Sequence, residues 1–265
     1  MNRLIAAMTL VVLGPSLPAG AQSAELRPEE IAYKLNNGFT AKKSAPLREC
    51  LRDWHDAPKS IPAKSLAKKP AFEQAVYAMY EAYYVPEATR VDAEYLIIQA
   101  DIEVHLVEAD LVKGYHKELL TYEEVAKQVP AVSKFTIHSF RPEVPKVEKK
   151  VLYYNRPYVF GMLQFLTGKV HYSEEEYGYE DILDDRHKER RDRLEYLNKQ
   201  LDIIPSVRGN GWYIATLPRI ECLVLSTELD VAVVYSDYGG GGGIALLQFR
   251  KGNWVVLGRE KTWIE

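Results

Sequence analysis

Cysteine is scarce in this chain: two residues, Cys50 and Cys222, among 265. Two cysteines allow one disulfide at most. Charge of one sign is also lacking. Lys and Arg number 34 against 37 Asp and Glu, a net charge of −3, which argues against wholesale nucleic-acid binding, a role that calls for a strong basic surplus. Long apolar runs are missing too. After the first residues no stretch of 18 apolar residues occurs, so the body of the chain is not expected to span a membrane. Local catalytic signatures are absent as well: no H-E-x-x-H, no G-x-S-x-G, and no cysteine beside a histidine in a familiar protease pattern. His55, His116, His138, His171 and His187 show no metal-ligand spacing among themselves. No cofactor is therefore expected. Absent local motifs do not exclude an enzyme, because catalytic groups assemble in space.

The one apolar run stands at the start, M-N-R-L-I-A-A-M-T-L-V-V-L-G-P-S-L-P-A-G-A-Q. Arg3 precedes Leu4 to Leu13, helix breakers follow, and Ala19 and Ala21 supply small residues before a cut at Gln22. This three-part pattern predicts a cleavable secretory signal over residues 1–21. The run is about half of the ~20 residues a permanent anchor requires. The expected location is periplasmic or secreted, with residues 22–265 forming a single domain. No cysteine lies at the cut, which argues against lipid attachment. In an oxidising compartment Cys50 and Cys222 are expected to pair, closing a long loop worth on the order of 4–5 kcal/mol; the alternative is two separate buried thiols.

Periodicity divides the mature chain into helices first and strands last. Pro28-Glu29-Glu30 starts a helix expected to stop at Asn36-Asn37-Gly38. Ser44 caps a second, with Leu47, Cys50, Leu51 and Trp54 on one stripe, and the Lys- and Pro-rich residues 57–70 read as an exposed linker. Phe72, Val76, Met79, Tyr80 and Tyr83 fall at steps of three and four, predicting a helix over 71–84. Its tyrosines read as core packing, and a tyrosine wall could also stack on a sugar ring. Thr121 and Glu124 form a capping-box pair for a short helix that Pro130 ends. Short strands are expected at 134–140 and 151–154, a helix over 157–166, and another over 180–200 with acids leading bases and a Glu189–Arg193 pair. That helix's basic face reads as solvated and internally paired, though it could dock an anionic partner. From 203 onward seven extended stretches alternate with short turns, predicting antiparallel neighbours. The fold class expected is α+β, with N-terminal helices packed on a C-terminal antiparallel β-meander.

Two stretches raise questions of chemistry. S-D-Y-G-G-G-G-G-I-A-L-L-Q-F, residues 236–249, carries five successive glycines. A phosphate cradle needs a helix N-terminus after the glycines, and its best-known form a Lys followed by Ser or Thr. Here Ala245, Leu247 and Phe249 continue as a strand instead, so a loose hairpin is expected. In Y-L-I-I-Q-A-D-I-E-V-H-L-V, residues 95–107, the alternation from Ile98 predicts one half-buried strand. Asp101, Glu103 and His105 then share its polar face. Two carboxylates and an imidazole can bind a divalent metal or share acid–base work; the plainer reading is a solvated sheet face.

The closing run L-L-Q-F-R-K-G-N-W-V-V-L-G-R-E-K-T-W-I resembles the final strands of NTF2-like and cystatin-like α+β folds. H-S-F-R-P (138–142), G-N-G-W-Y-I-A-T-L-P (209–218) and the glycine-to-end block are similar to exported bacterial proteins without assigned activity. The resemblance implies secretion and carries no site residue. The expectation is a non-enzymatic envelope protein that binds a protein partner or small-molecule ligand. The alternatives are a metal-assisted or acid–base hydrolase using Asp101, Glu103 and His105, and a structural or assembly factor.

Overall fold

The computed structural model describes residues 27–57, 59–86, 93–144, 147–168, 185–205 and 212–264. The expected leader, the acidic run 174–184 and the start of the helix expected from 180 lie outside them. Along the chain, α1 (Pro28–Thr40), α2 (Ala45–Asp56), the one-turn α3 (Ala63–Leu66) and α4 (Ala71–Tyr83) precede strands β1 (Tyr95–Ile98) and β2 (Ile102–Val107). Then come α5 (Ala109–Lys117), α6 (Tyr122–Gln128), β3 (Lys134–Ile137), β4 (Lys150–Tyr153), α7 (Arg156–Thr167) and α8 (Asp185–Leu197). Strands complete the order: β5 (Ile204–Pro205), β6 (Trp212–Tyr213), β7 (Arg219–Ser226), β8 (Val231–Asp237), β9 (Gly241–Arg250) and β10 (Asn253–Ile264). The fold is α+β, as the helix-then-strand order predicts.

The main sheet has six strands in the order β10-β9-β8-β7-β2-β3. β7 to β10 form the expected antiparallel meander. β2 joins its edge in parallel, with Glu103 opposite Cys222 and His105 opposite Val224. Parallel neighbours need a long crossover, and everything from α5 to β6 lies between these two strands in sequence. Both faces of the sheet are covered. Ile102, Val104, Leu223, Leu225, Ala232 and Val234 pack with the α4 residues Val76, Met79 and Tyr80. On the other face Cys222, Val224, Val233 and Tyr235 pack with Val112 of α5 and Val125 of α6. β8 is accordingly buried at every position, which erases the polar alternation of a half-wet strand.

A second core lies beside the sheet. There α1, α2, α7 and α8 enclose Leu35, Leu51, Trp54, Met162, Phe165 and Leu197, with β1 and β4 as a small parallel pair. The Trp54 indole donates to the Tyr153 carbonyl at 2.8 Å and ties α2 to β4. α1 and α7 approach closely because Gly161 has no side chain; a Cβ there would stand 2.6 Å from Ile31 Cβ and 2.8 Å from the Pro28 carbonyl oxygen. For the same reason α1 continues through Asn36-Asn37-Gly38 rather than stopping. Gly38 lies under the Tyr196 hydroxyl, so its missing side chain serves packing and not termination.

Other departures share this origin in packing. The run 95–107 is two strands in different sheets, broken at Gln99–Asp101. The supposed linker 57–70 contains α3, and α5 had no sequence signal. Of the strand expected over 212–217 only Trp212–Tyr213 is paired, whereas 253–264 is one strand rather than two. The glycine run is not a loose loop. Only Tyr238, Gly239 and Gly240 turn the chain, with Gly239 at φ +83° and the Tyr238 amide donating to Gly241 O at 2.8 Å. Gly241 to Gly243 are strand residues between β8 and β10, and no helix follows them.

The disulfide expectation is corrected. Cys50 and Cys222 are both free thiols. Cys50 sits in the helical core and Cys222 under α5 and α6, so the two cannot meet without dismantling both cores. A β-bulge accounts for part of the miss. The register shifts between Ile220 and Cys222, leaving Glu221 as the extra residue. Ile220 therefore faces α4 and Cys222 faces away from it, although plain alternation places them on one side.

Two outcomes follow. Gly161→Ala should lower stability by about 1–3 kcal/mol in denaturant unfolding, the usual cost of overpacking a close contact. A thiol titration without reductant should find neither cysteine reactive in the native protein and both reactive in denaturant, since their exposures are 1% and 0%.

Candidate functional site

The structure brings Glu103 and His105 together and leaves Asp101 apart. Asp101 lies outside β2, exposed, with its carboxylate 3.1 Å from Nδ1 of the equally exposed His138. Glu103 and His105 follow on the face of β2 that meets α5 and α6. Burial along that face is uneven: His105 is 0% exposed, and the Glu103 side chain keeps 34% of its surface. A solvated sheet face is thus ruled out for His105, because β7 continues the sheet and the helices roof it.

Glu103 is the centre of the contacts. Its Oε1 lies 2.5 Å from His105 Nε2, and its Oε2 accepts from the Tyr122 hydroxyl at 3.0 Å. Across the parallel ladder stands Cys222, and across the next ladder Tyr235. One ligand atom each from Glu103, His105 and Cys222 lie within 4.8 Å of one another. Tyr122 owes its place to α6, whose Thr121 N-cap accepts from the Glu124 amide and whose Glu124 carboxylate accepts from the Thr121 amide in return. That capping box fixes the first turn, and Tyr122 is its first residue.

Burial shapes the protonation of the group. It pushes the Cys222 thiol well above its ordinary range, and the Glu103 carboxylate adds to the rise. Tyr122 is raised by burial and then by donating to Glu103, and Tyr235 mainly by burial. The thiol and both phenols are therefore neutral at pH 7. Within this group two buried polar atoms, His105 Nδ1 and the Tyr235 hydroxyl, have no hydrogen-bond partner among the described residues. An unpaired buried polar group costs about 1–3 kcal/mol.

Glu103 also reaches a cleft. A cavity of about 620 Å³ opens where the ends of β2 and β7 meet β6 and α7. Tyr154, Trp212 and Tyr213 supply aromatic surface, Val159 and Leu163 of α7 an apolar patch, and Asp101, Glu103 and Glu221 carboxylates. Among the described residues of the lining Arg219 is the one cation, drawn partly toward Asp237 at 3.4 Å. Gln99 shapes the rim. Its amide donates to Ile220 O at 2.8 Å and accepts from Ile220 N at 2.7 Å, mimicking a strand partner where β1 and β2 part. The bulge at Glu221 aims that carboxylate into the cleft, as bulges beside sites commonly do.

Hollows also flank the glycine strand. One of about 500 Å³ lies between Tyr83 of α4, Gly240 to Gly243 and Arg259. One of about 220 Å³ lies on the other face among Tyr122, Glu221, Tyr235 and Gly242. The larger contains no helix N-terminus; the smaller meets the first turn of α6 at Thr121, Tyr122 and Glu123, but the glycines do not lead into that helix and the acids Glu123 and Glu221 line the hollow, so neither is a phosphate cradle of the kind glycine-rich loops build.

No protein-family model, curated protein or solved structure matches the chain. The resemblances in the C-terminal strands accordingly transfer no role to any residue, and the site is read from its own chemistry. Sequence reasoning found Glu103 and His105 through their shared strand face. It missed Cys222 and Tyr122, which arrive from other elements; the capping box at Thr121 was the one signal that fixed Tyr122's position on a helix.

The raised thiol and phenols give a pH dependence of known sign. Their unfolded forms lose protons near their ordinary values, about 9 for cysteine and 10 for tyrosine, before the folded forms do. Stability is complete below pH 9 and declines as the pH climbs beyond it. The urea midpoint should fall steadily between pH 8.5 and 10.5, and less steeply in Cys222→Ala.

Proposed function

We propose that the protein is an exported binding protein that holds a small polar organic ligand in the cleft between the helical core and the sheet. The observation that carries this reading is the cleft's size and lining. Its ~620 Å³ lies within the range of small-molecule sites. The rings of Tyr154, Trp212 and Tyr213 offer flat surface for a sugar ring or a cation. Among the described residues of the lining, carboxylates outnumber the guanidinium of Arg219, which favours a ligand rich in hydrogen-bond donors or carrying positive charge, such as an amino sugar or a polyamine. Export rests on the leader pattern of residues 1–21.

A hydrolase built on Asp101, Glu103 and His105 has less support. Asp101 makes its hydrogen bond with His138, and His105, wholly buried, would have to act through Glu103. Glu103 alone of that pair lines the cleft.

Calorimetric titration with glucosamine and with spermidine tests the reading. At least one should bind saturably at one site per chain, and Trp212→Ala should weaken that binding about tenfold, equivalent to ~1.4 kcal/mol. Binding by neither compound, or undiminished binding by Trp212→Ala, would remove the support.

A further inference from the structure

We infer that Glu103, His105 and Cys222 form a binding site for one divalent transition-metal ion of the zinc class. The inference goes beyond the cleft reading and would stand if the cleft bound nothing. It begins with donor chemistry. A carboxylate, an imidazole and a thiol converge from β2 and β7, their ligand atoms within 4.8 Å of one another. In a tetrahedral zinc site, bonds of about 2.0–2.3 Å place donors roughly 3.3–3.8 Å apart. The observed separations, from 2.5 Å between Glu103 Oε1 and His105 Nε2 to no more than 4.8 Å within the trio, bracket that spacing, so side-chain adjustment of about 1 Å would form the site.

Three features distinguish the trio from a chance meeting of polar groups. Two of its members, His105 and Cys222, are 0% exposed; a buried imidazole and thiol set beside a carboxylate are costly company without a cation. The His105 ring has one nitrogen on Glu103 and none of its described neighbours on the other. With no partner fixing Nδ1, the ring is free to carry its proton there and present the Nε2 lone pair toward Glu103 and Cys222. Charge also balances. A dication bound by one carboxylate and one thiolate leaves a neutral group, which the low-dielectric space under α5 and α6 tolerates. The mixture of thiolate, imidazole and carboxylate suits zinc better than magnesium or calcium, which take oxygen ligands.

Occupation would place the ion on His105 Nε2, where the Glu103 contact now lies, leave the neutral ring's one proton on Nδ1, and displace the thiol proton of Cys222 to solvent. Metal binding releases protons because thiolate and neutral imidazole are the ligating forms. Tyr122 holds the free carboxylate oxygen of Glu103, an orienting contact of the kind that tunes metal ligands. Glu103 is the member that lines the cleft, so an ion would enter past it.

The test uses cobalt(II) as the probe on the purified full chain after stripping with chelator. One equivalent should give a near-ultraviolet thiolate-to-cobalt charge-transfer band, and zinc(II) should abolish it. Cys222→Ser should lose the band while keeping the wild-type circular dichroism spectrum. Glu103→Gln should keep the band at an affinity lower by tenfold or more. Cys50→Ser should leave the titration unchanged. The absence of a stoichiometric band, its survival in Cys222→Ser, or its loss in Cys50→Ser would each overturn the assignment. Should Cys222→Ser fail to fold, Glu103→Gln decides alone: unchanged cobalt affinity refutes the site.

Discussion

The parallel pairing of β2 with β7 is the constraint from which the rest of the molecule follows. It draws an early segment onto the edge of a late meander, and thereby obliges the chain to travel around the sheet between them. That route supplies α5 and α6 to roof one face, and α7 to wall the cleft at the strand ends. Without the pairing, the row from Glu103 through Cys222 to Tyr235 would not exist, and His105 would be the wet residue that its strand pattern implies. Polar chemistry is carried into the interior here by topology and not by local sequence.

The same pairing explains what could and could not be read in advance. The helix at Ala71–Tyr83 was legible because five apolar residues recur at helical spacing and all face one way. The short α6 was legible from Thr121 and Glu124 alone, since a capping box is a local hydrogen-bond exchange. The strands from Arg219 onward were legible from their turns. By contrast, α5 buries only Val112 and Tyr115, too sparse a stripe for periodicity to register. The break at Gln99–Asp101 was hidden because those residues keep the alternation of polar and apolar while leaving the ladder. Gln99 then turns its amide onto Ile220, a long-range contact with no local trace.

The site was half visible for a related reason. Glu103 and His105 lie two apart on a strand, and alternation places them together. Cys222 joins them only through register across a parallel ladder, after a bulge at Glu221 has reversed the face that plain alternation assigns. A single inserted residue thus separates the thiol's true surroundings from the expected disulfide. Burial then divides the group: of the residues that looked like a solvated strip, His105 is packed beneath helices, Glu103 is half-buried and Asp101 stays in solvent.

The strand at Gly241–Gly243 bears on the whole sheet in a different way. Three residues without side chains begin β9, between β8 and β10, with a hollow on either side of them. There the sheet is a bare pane, one peptide thick, between two chambers. Arg259 and Tyr83 frame one chamber, and Tyr122 and Tyr235 frame the other. Whatever enters from the α4 side comes within a backbone's breadth of the hollow that Tyr122 and Tyr235 frame, three ladders from Glu103.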